Sequence, residues 1–148
     1  MSDSARDILR HTVATLAYRA GKALRDAPDG FSAFRVAPGS RSAGEILAHM
    51  GDLFDWALSM AEGNEHWKNV PCQTLPADTV RFFTALEKFD AFIASNDLAV
   101  PVERLFQGPV ADALTHTGQL TLMRRLAGSP VKGENYSKAP ITAGTLAT

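Results

Sequence analysis

The chain has 148 residues, of which 45% are hydrophobic and 21% charged, and its formal net charge is −1 at pH 7. This length suits one domain with a full core, and the charge gives no basic surface of the kind that nucleic acids or anionic membranes attract. The single cysteine, Cys72, excludes an internal disulfide and fits a reducing compartment. With neither a signal peptide nor an apolar run of ~20 residues, we expect one cytoplasmic domain over 1–148, with 131–148 as a C-terminal tail and no nucleic-acid or membrane partner.

The first segment with helical periodicity runs from about Ser4 to Ala27. Its apolar residues recur at spacings of three and four, which is typical of one buried helix face. They are Leu9, Val13, Leu16, Ala17, Ala20 and Leu24. Pro28 and Gly30 follow and end the predicted helix.

Two further helices are predicted in the middle of the chain. The second begins at Ser42, where Glu45 three residues later makes a capping box, and ends at Gly63. The third begins at Ala77 or Asp78, after two loop prolines, and ends near Ser95.

The stretch Leu98–Phe106 contains Pro101 and two valines, and it predicts a loop or a short strand. The fourth helix begins at Gly108-Pro109, because proline suits a first helical turn, and ends at Gly128. Helices of roughly 17–24 residues are about 25–36 Å long at 1.5 Å per residue, which is typical of a four-helix bundle. We therefore expect an all-α fold, and the long linkers predict at least one crossover connection.

Three polar residues stand out as candidate metal ligands. Asp112 and His116 are four residues apart on the fourth helix, so their side chains share a face and can reach one ion. They continue into a row with Gln119 and Met123, which borders Leu122 and Leu126 and is therefore expected to face inward or nearly so.

His49 lies beside the apolar stripe of the second helix, so it is an inward histidine on a separate helix. Bundles build metal sites from facing helices. A simpler interpretation stays open, in which His49 is a hydrogen-bonded core residue and Asp112 stabilises its helix and pairs with His116. Spacing alone favours this simpler interpretation.

Two segments resemble the DinB/YfiT-like superfamily of metal-dependent enzymes. The segment "RSAGEILAHMGDLFDWALSMAEG" is similar to the family's second helix, with a mid-helix histidine and then Asp52, Leu53 and Trp56. The segment "DALTHTGQLTLMRRLAGSPV" is similar to its last helix. The matching residues there are His116, Gly118, Gln119, Leu120, Arg125, Gly128 and Pro130.

The resemblance implies a metal bound by His49, Asp112 and His116, with Gln119 orienting His116 and with Trp56 and Met123 in a substrate pocket. The family commonly has histidine where this chain has Asp112. Two nitrogens and one oxygen leave the choice open between Zn²⁺, Ni²⁺, Fe²⁺ and Mn²⁺.

The resemblance also implies an enzyme that acts on a small-molecule substrate, and a homodimer. Characterised members of the superfamily use a low-molecular-weight thiol such as bacillithiol or mycothiol in transferase and isomerase reactions, and others are called hydrolases. The alternative is a non-catalytic bundle, a binding or stress-related dimerising protein with a vestigial metal site.

Overall fold

The computed structural model describes residues 1–147, and those residues form helices and loops without a strand. The helices are α1 (Asp3–Leu24), α2 (Ala43–Glu62), α3 (Leu75–Ser95), α4 (Val102–Leu105) and α5 (Ala111–Leu126). The predicted all-α helical bundle is confirmed. Within residues 1–147, no helix is both long enough and apolar enough to cross a membrane.

Helix α2 begins and ends where the sequence predicts. The Ser42 hydroxyl accepts from the Glu45 amide at 3.1 Å, and the Glu45 carboxylate accepts from the Ser42 amide at 2.7 Å. Gly63 ends the helix with φ +85°, a conformation in which a side chain would be strained. This reciprocal cap sets the register of α2 and hence the direction in which His49 projects.

The other helix ends differ from the prediction by a few residues. Helix α1 is capped by Ser2 instead of Ser4, and it ends at Leu24. Helix α3 begins at Leu75, because the Thr74 hydroxyl accepts from the Ala77 amide and caps the first turn. Short polar side chains serve equally well as caps, so the sequence alone does not choose between neighbouring candidates.

The stretch Leu98–Phe106, predicted as a loop or a short strand, is a loop up to Pro101 and helical from Val102, so the strand alternative is wrong. Val102–Leu105 is an α-helical turn, and it continues through a π-helical segment, Phe106–Val110, into α5. Pro109 lies inside this π-helical segment and does not begin the helix. Because proline has no amide hydrogen, the local ladder cannot stay α-helical, and the wider π turn accommodates it.

The long helices form a four-membered ring around one core. Helices α2 and α3 pack together, α1 packs against α3 and α5, and α2 packs against α5. The 25–42 connection therefore joins helices on opposite sides of the ring, which is the expected crossover. The result that matters for function is that α5 lies between α1 and α2.

The tail after α5 folds back over α1. Glu134 accepts from Lys22 at 2.6 Å and from the Tyr18 hydroxyl at 3.0 Å. Tyr136 meets the Tyr18 ring edge-on, with centroids 6.3 Å apart. The tail therefore covers part of α1 on the side where α5 also packs.

A buried arginine joins α5 to the end of α1. Arg124 is 5% exposed, and its guanidinium donates to the carbonyls of Ala23 (2.9 Å), Arg25 (2.8 Å) and Asp26 (3.2 Å). Its Nε also donates to the carbonyl of Ser129. Helix C-termini leave carbonyls without partners, and here one cation supplies the donors.

We expect Arg124→Met to lower the free energy of unfolding by about 3 kcal/mol, because it leaves several half-buried carbonyls without donors. Urea denaturation followed by circular dichroism measures this. Arg125→Met is the matched control: Arg125 is exposed on the same helix turn and should change stability by less than about 0.5 kcal/mol. Equal effects of the two substitutions would contradict the role given to Arg124.

Candidate metal centre

The three predicted ligands come together between α2 and α5. His49, Asp112 and His116 each offer one donor atom, and these atoms all lie within 4.8 Å of one another. Asp112 Oδ2 is 3.3 Å from His49 Nε2, and Asp112 Oδ1 is 3.4 Å from His116 Nε2. Donors bound tetrahedrally at ~2.1 Å are separated by roughly 3.4 Å, so a small contraction would let one ion bind all three.

The cluster is partly buried and opens to solvent on one side. The side chains of His49 and His116 are 18% and 12% exposed, whereas that of Asp112 is 45% exposed. The rings of the two histidines meet nearly at right angles, with centroids 4.9 Å apart. The carboxylate is therefore the ligand nearest to solvent, and the imidazoles form the inner wall.

Gln119 lies within hydrogen-bond distance of His116. Its amide oxygen lies 2.7 Å from His116 Nδ1. This contact holds the imidazole ring in the orientation that directs Nε2 at Asp112. A hydrogen bond that fixes the tautomer of a histidine ligand is the usual accompaniment of metal sites.

The cluster presents the ligand atoms that a cation needs. Nε2 of His116 and the carboxylate of Asp112 face each other at 3.4 Å. The donor set of two nitrogens and one oxygen fits a first-row divalent metal, so the cluster can hold one.

The surroundings of His49 favour its neutral form, which is the form that binds a metal. Burial lowers the pKa of His49 below its ordinary value, and the charges of Arg41 and His116 act in the same direction, while Asp112 opposes them. The Trp67 ring packs beside the imidazole, with centroids 5.6 Å apart. Neutral imidazole binds a metal without first losing a proton.

Two clefts adjoin the cluster, and they separate the predicted pocket residues. Trp56 lines a cleft of about 400 Å³ that includes Asp112. Met123 lines another of about 290 Å³ that includes His116. Trp67 and Arg41 also lie near the cluster, although their sequence positions gave no sign of it. Trp67 lies in the loop after α2, and Arg41 lies just before α2. They become neighbours of the cluster only when the chain folds.

The contacts of Asp112 include those of the simpler interpretation, because it lies in the first turn of α5 and its carboxylate is 3.4 Å from His116, four residues later. Among residues 1–147 no lysine or arginine forms an ion pair with Asp112. The carboxylate also reaches His49 of α2 at 3.3 Å, so one acid contacts the imidazoles of two helices.

Several expectations around the cluster need correction. Leu122 and Leu126 are 54% and 56% exposed, so they do not mark an inward face. The inward positions of α5 are Ala113, Thr117, Leu120, Met123 and Arg124. The buried face of α5 includes small and polar residues, whereas two of its leucines are exposed, so residue type alone does not mark the inward face.

Asp52 and Cys72 lie outside the metal cluster, and neither is a candidate for its chemistry. Asp52 is buried and accepts from Arg81 at 2.7 Å and from the Val70 amide, so it anchors the loop after α2. Partial burial and the neighbouring Asp78 raise the pKa of the Cys72 thiol. A raised pKa leaves little thiolate at neutral pH, so Cys72 is not an activated nucleophile.

No protein-family model, curated protein or solved structure matches this chain. The resemblance to the DinB/YfiT-like superfamily therefore stays a prediction from the residues of α2 and α5. The geometry of the cluster stands independently of it.

We expect the purified protein to bind about one Zn²⁺, Ni²⁺ or Mn²⁺ per chain, since the cluster holds one ion. At a hundredfold excess over Kd, binding stabilises by about 2.7 kcal/mol, which is about 5–10 °C in Tm. His49→Ala should abolish this shift, because two ligands on one helix remain. His11→Ala, at an exposed histidine of α1, is the control and should bind normally. A full shift in His49→Ala would contradict the ligand set.

Gln119 offers a sharper test of the cluster. Gln119→Met keeps the length of the side chain but removes the acceptor, and we expect a 10–100-fold weaker metal affinity by isothermal titration. Gln119→Glu keeps an acceptor at His116 Nδ1 and should bind at least as tightly as the wild type. If both variants lose affinity equally, Gln119 acts through helix packing and not through His116.

Proposed function

We propose that this chain is a metal-dependent enzyme that transfers a low-molecular-weight thiol to a small electrophilic substrate. The observation that carries the proposal is the convergence of His49, Asp112 and His116 within 4.8 Å at a solvent-accessible edge. Three ligands leave coordination positions open, as catalytic sites do and structural sites do not. A divalent ion held there would lower the pKa of a thiol or water and supply a nucleophile at neutral pH.

The residues around the cluster have separate roles in the proposed reaction. Gln119 holds the ring of His116 in one orientation. Trp67 packs beside the ring of His49, with centroids 5.6 Å apart. Asp112 supplies the negative charge that balances a cation while leaving the outer side accessible to reactants.

The two clefts favour a reaction with two reactants. The cleft beside Asp112 is lined by polar and apolar side chains in similar measure, and its polar groups, which include Gln107 and Thr115, suit a polar thiol. The cleft beside His116 is mostly apolar and has Arg41 and Ser40 at its edge, which suits an apolar electrophile with an anionic group. In the transfer, a sulfur–carbon bond forms, the leaving group departs with its electron pair, and the thiol proton passes to solvent.

We expect the metal-loaded protein to accelerate the reaction of bacillithiol or mycothiol with monochlorobimane, because the site activates the sulfur. Fluorescence of the thioether measures the rate. Chelation and His49→Ala should return it to the uncatalysed rate, whereas His11→Ala should retain activity.

Two other outcomes would replace this proposal. Metal-dependent hydrolysis of p-nitrophenyl esters or phosphates, with no thiol adduct, would favour a hydrolase that activates water at the same site. Stoichiometric metal binding without either activity would favour the non-catalytic bundle.

A further inference from the structure

A second cleft, separate from the metal cluster, lies between α1 and α5. Its volume is about 500 Å³, and its polar lining comes from Thr15 and Arg19 of α1, Thr117 and Thr121 of α5, and Tyr136 of the tail. At 100° per residue, Thr117 and Thr121 are on roughly the opposite face of α5 from Asp112 and His116. The two sites therefore share a helix but no lining residue.

Arg19 carries a polar atom without a partner. Its Nε is buried and makes no hydrogen bond to any of residues 1–147. The guanidinium carbon lies 4.1 Å from the centre of the Tyr136 ring, so the tail holds the head group in place. A buried donor without an acceptor is costly, so this group favours an acceptor supplied by a ligand or a water molecule.

Arg19 forms no ion pair among residues 1–147. The nearby Lys22 and Glu134 form an ion pair at 2.6 Å, and Glu134 also accepts from Tyr18. Lys22 holds the pKa of Glu134 below its usual range, and Tyr18 and, from a greater distance, the charge of Arg19 add to this. Glu134 is thus engaged by Lys22 and Tyr18, and Arg19 has no carboxylate in direct contact, which suits a ligand with one negative charge.

The threonine hydroxyls indicate which hydrogen-bonding groups the ligand must carry. Each donates its proton to a carbonyl of its own helix, at 2.9 Å for Thr15, 2.8 Å for Thr117 and 3.0 Å for Thr121. Their oxygens therefore offer only lone pairs to the cleft, so the ligand must bring hydrogen-bond donors. A Cβ added at Gly118 would meet nothing within 4 Å, so this glycine borders open space and does not serve close helix packing.

We propose that this cleft binds a small organic carboxylate that carries a hydroxyl or ammonium group beside the carboxylate. The Arg19 guanidinium binds the carboxylate, and the threonine oxygens accept from the neighbouring donor. A phosphate dianion fits less well, because it brings two charges and further acceptors to a cleft that one cation lines. The proposal is independent of the metal cluster and of thiol transfer.

The test is a chemical-shift titration of ¹⁵N-labelled protein in the presence of a chelator, so that metal binding does not contribute. The probes are lactate, serine, acetate and lactamide. Lactate and serine should shift the amides of Gly118 and Thr121 saturably. Acetate lacks the donor and should bind more weakly, and lactamide lacks the charge and should not bind.

The variants separate a ligand site from a structural role. Arg19→Gln should weaken lactate binding roughly tenfold or more, as expected for loss of a charge-assisted contact. Arg125→Gln, at an exposed arginine of α5, should leave it unchanged. Because Arg19→Gln can also loosen the tail, Arg19→Lys is made in parallel: it keeps a cation near Tyr136 but loses the planar fork, and it should also weaken binding.

Thr121→Val tests the donor contact by itself. It should weaken lactate but not acetate, so the preference between the two probes falls. Thr12→Val is its control, because Thr12 makes the same helix hydrogen bond outside the cleft. Absence of saturable shifts with lactate and serine, or unchanged lactate affinity in Arg19→Gln, would overturn the proposal.

Discussion

The packing of α5 between α1 and α2 is the constraint on which both candidate sites depend. One face of α5 brings Asp112 and His116 to His49 of α2. The other face borders the cleft that Arg19 of α1 lines. Arg124 holds the C-terminal end of α5 against the end of α1 by hydrogen bonds to buried or half-buried carbonyls. A helix in this position cannot shift toward one neighbour without altering its contacts with the other.

The polar groups inside this bundle fall into two kinds. Arg81 is satisfied by Asp52, Asp55 and the Ala48 carbonyl, and it lies so close to α2 that a Cβ at Gly51 would be 2.9 Å from its guanidinium. Such complete pairing is what stability requires of a buried charge. Incomplete pairing, by contrast, marks the cleft of Arg19, whose Nε has no acceptor among the described residues.

The hydrophobic pattern and the capping residues were enough to predict the helices. Ser42 and Glu45 determine the start of α2 through contacts three residues apart, so the register of His49 follows from the sequence. The local sequence pattern gave a wrong prediction at Pro109, which does not begin the last helix. Whether a proline begins a helix or is absorbed in a π turn depends on the burial of neighbours such as Leu105 and Val110, which is a tertiary effect.

The sequence by itself determined the all-α bundle and the spacing that puts Asp112 and His116 on one helix face, because both follow from contacts within about four residues. Only the tertiary structure decided that His49 meets them, and that Asp112 faces both imidazoles and does not cap its own helix. The same holds for Trp67 beside His49 and for the cleft of Arg19. These contacts join residues far apart in the chain, and their distances are set by how the helices pack around the core.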